Sequence, residues 1–152
     1  MFEKEKKFAN WTCEEVFPSI SGKAAPLIDA VLKKMTEKKW APKDIFAVNM
    51  ALVESIANAI EHGNQHDPEK HVSVYCTISE KLVHISVKDE GPGFVSQSVP
   101  DPRNSERMTC PSGRGVFLIH GFMSKVWFSD SGNVIYMEKF PSDKKAAQKA
   151  PA

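Results

Sequence analysis

Two short runs limit what this chain can fold into. Val72, Val74, Cys76 and Ile78 alternate with polar residues, and Val83, Ile85 and Val87 do the same after a Ser79-Glu80-Lys81 turn. A period of two places these apolar side chains on one face of a β-hairpin and leaves the other face polar. Such a hairpin needs a covering layer on one side only, and the sequence offers it in two segments of helical period. Between Lys23 and Trp40, residues Leu27, Ala30, Val31, Leu32 and Met35 fall at helical spacing, while Lys33, Lys34, Glu37 and Lys38 are left for water. A second helix opens at Pro42, which suits a first helical turn. It has Asp44 near the positive end of its dipole and stops near His62, with Gly63 as the breaker.

Further strands are expected from about Lys7 to Pro18, from Lys125 to Ser129 and from Val134 to Phe140, the last two joined through Asp130-Ser131-Gly132-Asn133. A short helix is expected from Gly115 to about Met123. Strands and helices are thus grouped rather than strictly alternating. This arrangement predicts an α+β fold, a two-layer sandwich with helices on one face of a mixed, mainly antiparallel sheet. The length of 152 residues, 41% of them hydrophobic, is that of one compact domain. The domain is expected to span residues 1–141, with a Lys/Ala-rich, disordered tail over 142–152. Between Val95 and Ser112 neither period holds, and Pro100, Pro102 and Pro111 interrupt the segment. A loop of that length inside a small domain reads as a lid over a site.

The charge balance narrows the classes of partner. Lys and Arg total 20 against 19 Asp and Glu, interspersed, so the net charge of +1 gives no electrostatic footprint for nucleic acid or an anionic membrane. The three cysteines, Cys13, Cys76 and Cys110, are far apart in sequence and form neither a disulfide framework nor a CxxC pair. The charged beginning MFEKEKKFANW is unlike a signal peptide, and no apolar stretch has the length of a membrane span. A cytoplasmic, soluble protein is the expectation.

Three constellations carry chemistry. On the second helix, MALVESIANAIEHGN sets Glu54 and Asn58 four residues apart on one face, with Glu61 and His62 a turn further on. Ile45, Val48, Leu52, Ile56 and Ala59 take the opposite face, so Glu54 and Asn58, among the small Ala51 and Ala57, are placed to floor a pocket. An Asn oxygen is a suitable partial ligand for Mg²⁺, and a carboxylate beside it is placed to accept a proton. In VKDEGPGF, Asp89 continues the period of Val83, Ile85 and Val87, so its carboxylate points inward and requires a donor such as the amino group of adenine. Gly91 and Gly93 allow close backbone approach. In SGRGVFLIHGF, Gly113 and Gly115 precede an apolar helix whose free N–H groups favour phosphate, with Arg114 between them. Leu118 replaces the last glycine of GxGxxG, and no GxxxxGK[ST] is present, which argues against Rossmann and P-loop readings. Taken singly, the first two motifs are more simply an amphipathic helix and an Asp-Gly turn, and the third is as readily a loop that needs two glycines.

In this order, ExxxN, DxGxG, a lid-length loop and GxG resemble the gyrase, chaperone and histidine-kinase (GHKL) ATPase superfamily over roughly Pro42 to Phe140. ESIANAIEHGN and SGRGVFLIHGFM resemble its anti-sigma-factor serine kinases. The resemblance implies a Bergerat-type fold, ATP and Mg²⁺ as ligands, a homodimer, and phosphorylation of a serine on an anti-sigma-factor antagonist, with a sigma factor as a further partner. It implies Glu54 as general base and Asn58 as magnesium ligand. Asp89 would bind adenine, with Gly91 and Gly93 shaping the pocket. Gly113, Arg114 and Gly115 would form the phosphate box, with amides from Val116 and Phe117. Arg103, Arg107 and Arg114 are the candidate cations for the γ-phosphate, and His62 is read as a helix-capping or core residue. Two other readings share the fold: a module that binds ATP and sequesters a partner without phosphoryl transfer, and a detached histidine-kinase catalytic domain. The chain is too short to hold a phosphoacceptor hairpin as well.

Overall fold

The computed structural model describes residues 10–92 and 118–142. Along the chain these form β1 (Trp11–Pro18), α1 (Ala25–Glu37), α2 (Pro42–Asn58), a π-helical turn (Ala59–Gly63), β2 (His71–Ile78) and β3 (Val83–Lys88). A short helix at 118–122, β4 (Lys125–Phe128) and β5 (Val134–Lys139) follow. The five strands lie in the order β1-β2-β3-β5-β4, and every pairing is antiparallel. This is the α+β architecture with helices packed on a sheet that the two periods predict.

The register aligns the inward rows. Val74 opposes Val87, Cys76 opposes Ile85, and Ile85 in turn opposes Met137 on β5. These residues share one core with Leu27, Val31 and Met35 of α1 and with Val48, Leu52 and Ile56 of α2. Complete burial of each such side chain contributes roughly 1.5–3 kcal/mol, and this shared layer holds the helices to the sheet. No helix among the described residues is long and apolar enough to cross a membrane.

Two helix ends differ from the sequence expectation for local reasons. The first helix stops at Glu37 rather than at Trp40, because Lys39 takes a left-handed backbone (φ 66°) that folds Trp40 back into the core. There the indole N–H donates to the carbonyl of Ser79 at 2.8 Å, which joins the α1–α2 connection to the β2–β3 turn. The second helix does not end at Gly63 as a plain stop. Its α-helical hydrogen bonding gives way after Asn58 to a π turn.

Asp44, expected only to complement the helix dipole, is 1% exposed. Its carboxylate accepts the backbone N–H of Ser142 at 3.0 Å and the Ser142 hydroxyl, and Lys139 Nζ stands 3.7 Å away. Lys139 also donates to the carbonyl of Phe122 at 3.0 Å. A buried carboxylate is tolerated only with such partners. They fasten the start of α2 to the end of β5 and to the short helix. Ser142, the first residue of the expected tail, is therefore held, while residues 143–152 lie outside the described residues. Replacing Asp44 by Ala leaves the Ser142 N–H without its acceptor and Lys139 without its counter-charge. The expected loss is about 2–3 kcal/mol of unfolding free energy, read from urea midpoints, with a smaller loss for Asp44→Asn.

Candidate functional site

The site is built where α2 meets the end of β3. Along α2, Ala47, Ala51, Glu54 and Asn58 form one row. Ala51 is fully buried rather than lining an open floor, so the row passes from core to solvent and only Glu54 and Asn58, both half-buried, lie at its accessible end. Neither side chain makes a hydrogen bond or ion pair among the described residues. Among the described residues the carboxylate and the carboxamide thus keep lone pairs without a donor.

After Asn58 the helix widens. The N–H of Asn64 reaches the carbonyl of Ala59 at 2.8 Å, an i to i−5 bond, and the N–H of His66 reaches that of Ile60 at 2.8 Å. Glu61 and His62 fall on the exposed side, where the imidazole lies 3.8 Å from the Glu61 carboxylate. His62 is therefore not a core residue. Gly63 lands against β3. A Cβ built on it would stand 2.3 Å from both Cγ and Oδ2 of Asp89, and one on Gly91 would stand 2.0 Å from the carbonyl oxygen of Gly63. At Gly91 the clash is with backbone, so only a residue without a side chain fits, whereas at Gly63 a Cβ requires the Asp89 carboxylate to move aside.

Asn64 locks this contact. It is 1% exposed, and its amide group donates to Ser19 Oγ at 2.8 Å and to the carbonyl of His71 at 3.0 Å. Its Oδ1 accepts the N–H of Glu90 at 2.7 Å. One side chain thereby joins the residue after β1, the first residue of β2 and the loop after β3. The next two residues, Gln65 and His66, hold left-handed backbones (φ 52° and 60°), a strained path kept by these bonds. From the other side the N–H of Asp89 donates to the carbonyl of Asn133 at 3.0 Å, which fixes the end of β3 to the β4–β5 turn.

Asp89 is half-buried, as its place in the period predicts. Oδ1 accepts the N–H of Gly91 at 2.8 Å, while Oδ2 accepts no hydrogen bond among the described residues. Burial pushes the carboxyl above the usual aspartate range, and the Gly91 N–H and the charge of Lys70 partly offset it. The result is an inward carboxylate with one oxygen open to a donor. Behind the same loop, on the helix-free face of the sheet, Val16, His71, Ser73, Lys88 and Glu90 line an open depression of about 400 Å³.

Of the residues singled out in sequence, Asp89 and Gly91 meet at Gly63, and Glu54 and Asn58 lie on the helix that leads into that turn. Gly93, Gly113, Arg114, Gly115, Val116 and Phe117 lie outside the described residues, as do Arg103, Arg107 and the expected lid over Val95 to Ser112. Sequence reasoning missed Gly63 and Asn64 as parts of the site. The only available signal was the dipeptide itself, which looks like an ordinary helix terminator.

Comparison with known proteins adds an independent line. The family model described as "Histidine kinase-like ATPase domain" matches residues 20–139. An anti-sigma F factor of Geobacillus sp. (strain WCH70) is 28% identical over 110 residues, 68% of this chain and 74% of that protein. The anti-sigma F factor of Oceanobacillus iheyensis is 26% identical over 130 residues, 81% of this chain and 88% of that protein. Among solved structures, that of the RsbU and RsbW domains of Rv1364c from Mycobacterium tuberculosis superposes with a TM-score of 0.57 at 15% identity. The match covers 85% of this chain and 31% of that longer one, and it establishes the fold alone.

Two outcomes follow from the geometry. Gly63→Ala forces Asp89 off its seat, and a loss of about 2 kcal/mol or more is expected in chemical denaturation. Asp89→Asn keeps an acceptor for Gly91 while removing the buried charge. Because the folded pKa of Asp89 is raised, the native state binds the extra proton between the unfolded and folded values, and wild-type stability falls as pH rises through that window. At pH 7 Asp89→Asn is expected to be at least as stable as wild type, with the difference vanishing near pH 3–4, measured by thermal melts across pH.

Proposed function

Because the chain belongs to the histidine kinase-like ATPase domain family, whose members bind ATP, we propose that it is a Mg-ATP-dependent serine kinase of the anti-sigma-factor type. Its substrate is a serine on an anti-sigma-factor antagonist, and a sigma factor is the partner it sequesters. The working form is a homodimer in the cytoplasm. The observation that carries the nucleotide assignment is the open Oδ2 of Asp89, held over Gly63 where no side chain intrudes. An inward acceptor of this kind suits the exocyclic amino group of adenine and discriminates against a base that presents a carbonyl there. The finer assignment to the anti-sigma kinases is supported by the curated relatives named above.

Each residue then takes a role. Asp89 accepts the hydrogen bond from adenine, and Gly91 and Gly93 let the backbone pass beside the base. Asn58, its carboxamide without a hydrogen-bond partner among the described residues, would hold Mg²⁺, which when bound neutralises phosphate charge. Mg²⁺ keeps several waters and binds through few protein ligands, so Asn58, water and the substrate phosphates are a sufficient set for it. Gly113, Arg114 and Gly115, with the amides of Val116 and Phe117, would cradle the phosphates at a helix N-terminus. Arg103, Arg107 or Arg114 would face the γ-phosphate. Glu54, four residues before Asn58 on the same face, takes the proton from the incoming serine hydroxyl as its oxygen bonds to the γ-phosphorus and the bond from that phosphorus to the bridging oxygen breaks, releasing ADP. The segment from Val95 to Ser112 would cover the bound nucleotide.

The test is calorimetric titration with ATP, with and without Mg²⁺, and with GTP, followed by phosphate transfer to an antagonist protein of the kind controlled by anti-sigma F factors. ATP is expected to bind at least about tenfold more tightly than GTP and only weakly without Mg²⁺. Glu54→Gln is expected to keep ATP affinity within about threefold while losing at least about a hundredfold in formation of acid-stable phosphoserine. Comparable transfer by Glu54→Gln removes it as the base. ATP binding without transfer in the wild type leaves a regulatory module, and an acid-labile product points to a histidine-kinase catalytic domain.

A further inference from the structure

Cys13 and Cys76, 63 positions apart in sequence, are direct partners across β1 and β2. The register pairs them on the inward face of the sheet, in the row that also pairs Trp11 with Ile78 and Phe17 with Val72. Residues directly opposed in an antiparallel pair have Cα atoms about 4.5 or 5.5 Å apart, and both spacings lie within the roughly 4.4–6.8 Å that a disulfide spans. Their Cβ atoms stand about 4.5–5.5 Å apart, against the roughly 3.5–4.5 Å of a closed bridge, so closure asks for a small approach of the two strands. β1 is an edge strand, bonded on one side only among the described residues, and can make that approach. Both thiols are free.

We propose that Cys13 and Cys76 form a redox-closable pair, a modification site at which a low-molecular-weight disulfide such as oxidised glutathione converts two thiols into a reversible cross-strand disulfide. The two cysteines take different parts because their surroundings differ. Cys13 is only partly buried and accessible from outside, while Cys76 is wholly buried. Cys13 loses its proton, and its sulfur attacks the glutathione disulfide. This gives a mixed disulfide and releases one glutathione thiolate, which takes up a proton. Cys76 then gives up its proton, and its sulfur attacks Sγ of Cys13, expelling the second glutathione. Two protein thiols are oxidised and one glutathione disulfide is reduced to two thiols. Burial pushes the Cys76 thiol up to about 12 and raises that of Cys13, with Glu15 adding to the latter. Both therefore rest as thiols, and the second exchange depends on the proximity that the register provides. The bridge closes a loop containing α1, α2 and the π turn, and so constrains the unfolded chain across most of the helical layer.

The experiment treats the full chain with excess oxidised glutathione at pH 8, blocks remaining thiols by alkylation, and measures intact mass, peptide linkage and thermal midpoint. Wild type and Cys110→Ser are expected to lose two hydrogens in mass and yield a peptide linking Cys13 to Cys76. They are expected to melt about 5 °C or more higher until dithiothreitol restores the starting value. Cys13→Ser and Cys76→Ala are each expected to lose both the linkage and the shift. Should Cys76→Ala fail to fold, Cys13→Ser, altered at a partly exposed edge position, decides alone. A glutathione left standing on Cys13, a linkage through Cys110, or full alkylation of all three cysteines overturns the proposal.

Discussion

The rest of the candidate site depends on the contact between the backbone of Gly63 and the segment Asp89 to Gly91. Two chain segments from different layers meet there with no room for a Cβ on either side. A helix and a strand ordinarily stand apart by the thickness of their side chains, but two glycines at the meeting point let the main chains touch. The π turn makes that meeting possible, because its extra residue per turn changes the direction in which the helix ends. Asn58 closes α2 one turn before this point. The polar groups are thereby placed by backbone geometry rather than by a flexible loop.

The polar groups of the molecule divide into two kinds. Among the described residues no buried side-chain nitrogen or oxygen lacks a hydrogen-bond partner. Asp44 and Asn64, both almost wholly buried, are saturated, and each ties together parts of the chain distant in sequence. Glu54, Asn58 and Asp89 are half-buried, and the side chains of the first two and Oδ2 of the third have no hydrogen-bond partner among the described residues. Saturated groups contribute to stability and fix geometry; unsaturated ones at a partly sheltered surface retain capacity for a ligand. The raised carboxyl of Asp89 belongs to the second kind, since its burial opposes the charge that a donor from outside would stabilise. A site of this construction gives up some stability for binding, in line with the general conflict between the two.

The same contrast accounts for conservation of architecture at low sequence identity. The sheet and helices rest on two apolar periods that many sequences satisfy. The end of α2 and the end of β3 rest on a handful of positions, Gly63, Asn64, Asp89 and Gly91, where the chemistry allows little choice. In this chain the meeting of the two layers therefore rests on a small region, while the layers themselves rest on a broad apolar pattern.

By itself the sequence determined the layers. Alternation in Val72–Ile78 and Val83–Val87 and helical spacing in the two preceding segments dictate which faces are apolar, because side-chain direction follows directly from backbone period. It also set Glu54 and Asn58 on one face and turned Asp89 inward, for the same reason. Only the tertiary structure decided what those faces meet. The burial of Ala51, the π turn after Asn58, the tether of Ser142 to Asp44, the union of three strand ends at Asn64 and the pairing of Cys13 with Cys76 all join residues distant in sequence or depend on the packing of one layer against another. Local periodicity carries no information about strand register or about how closely two backbones approach, and those two quantities are set by the packed whole.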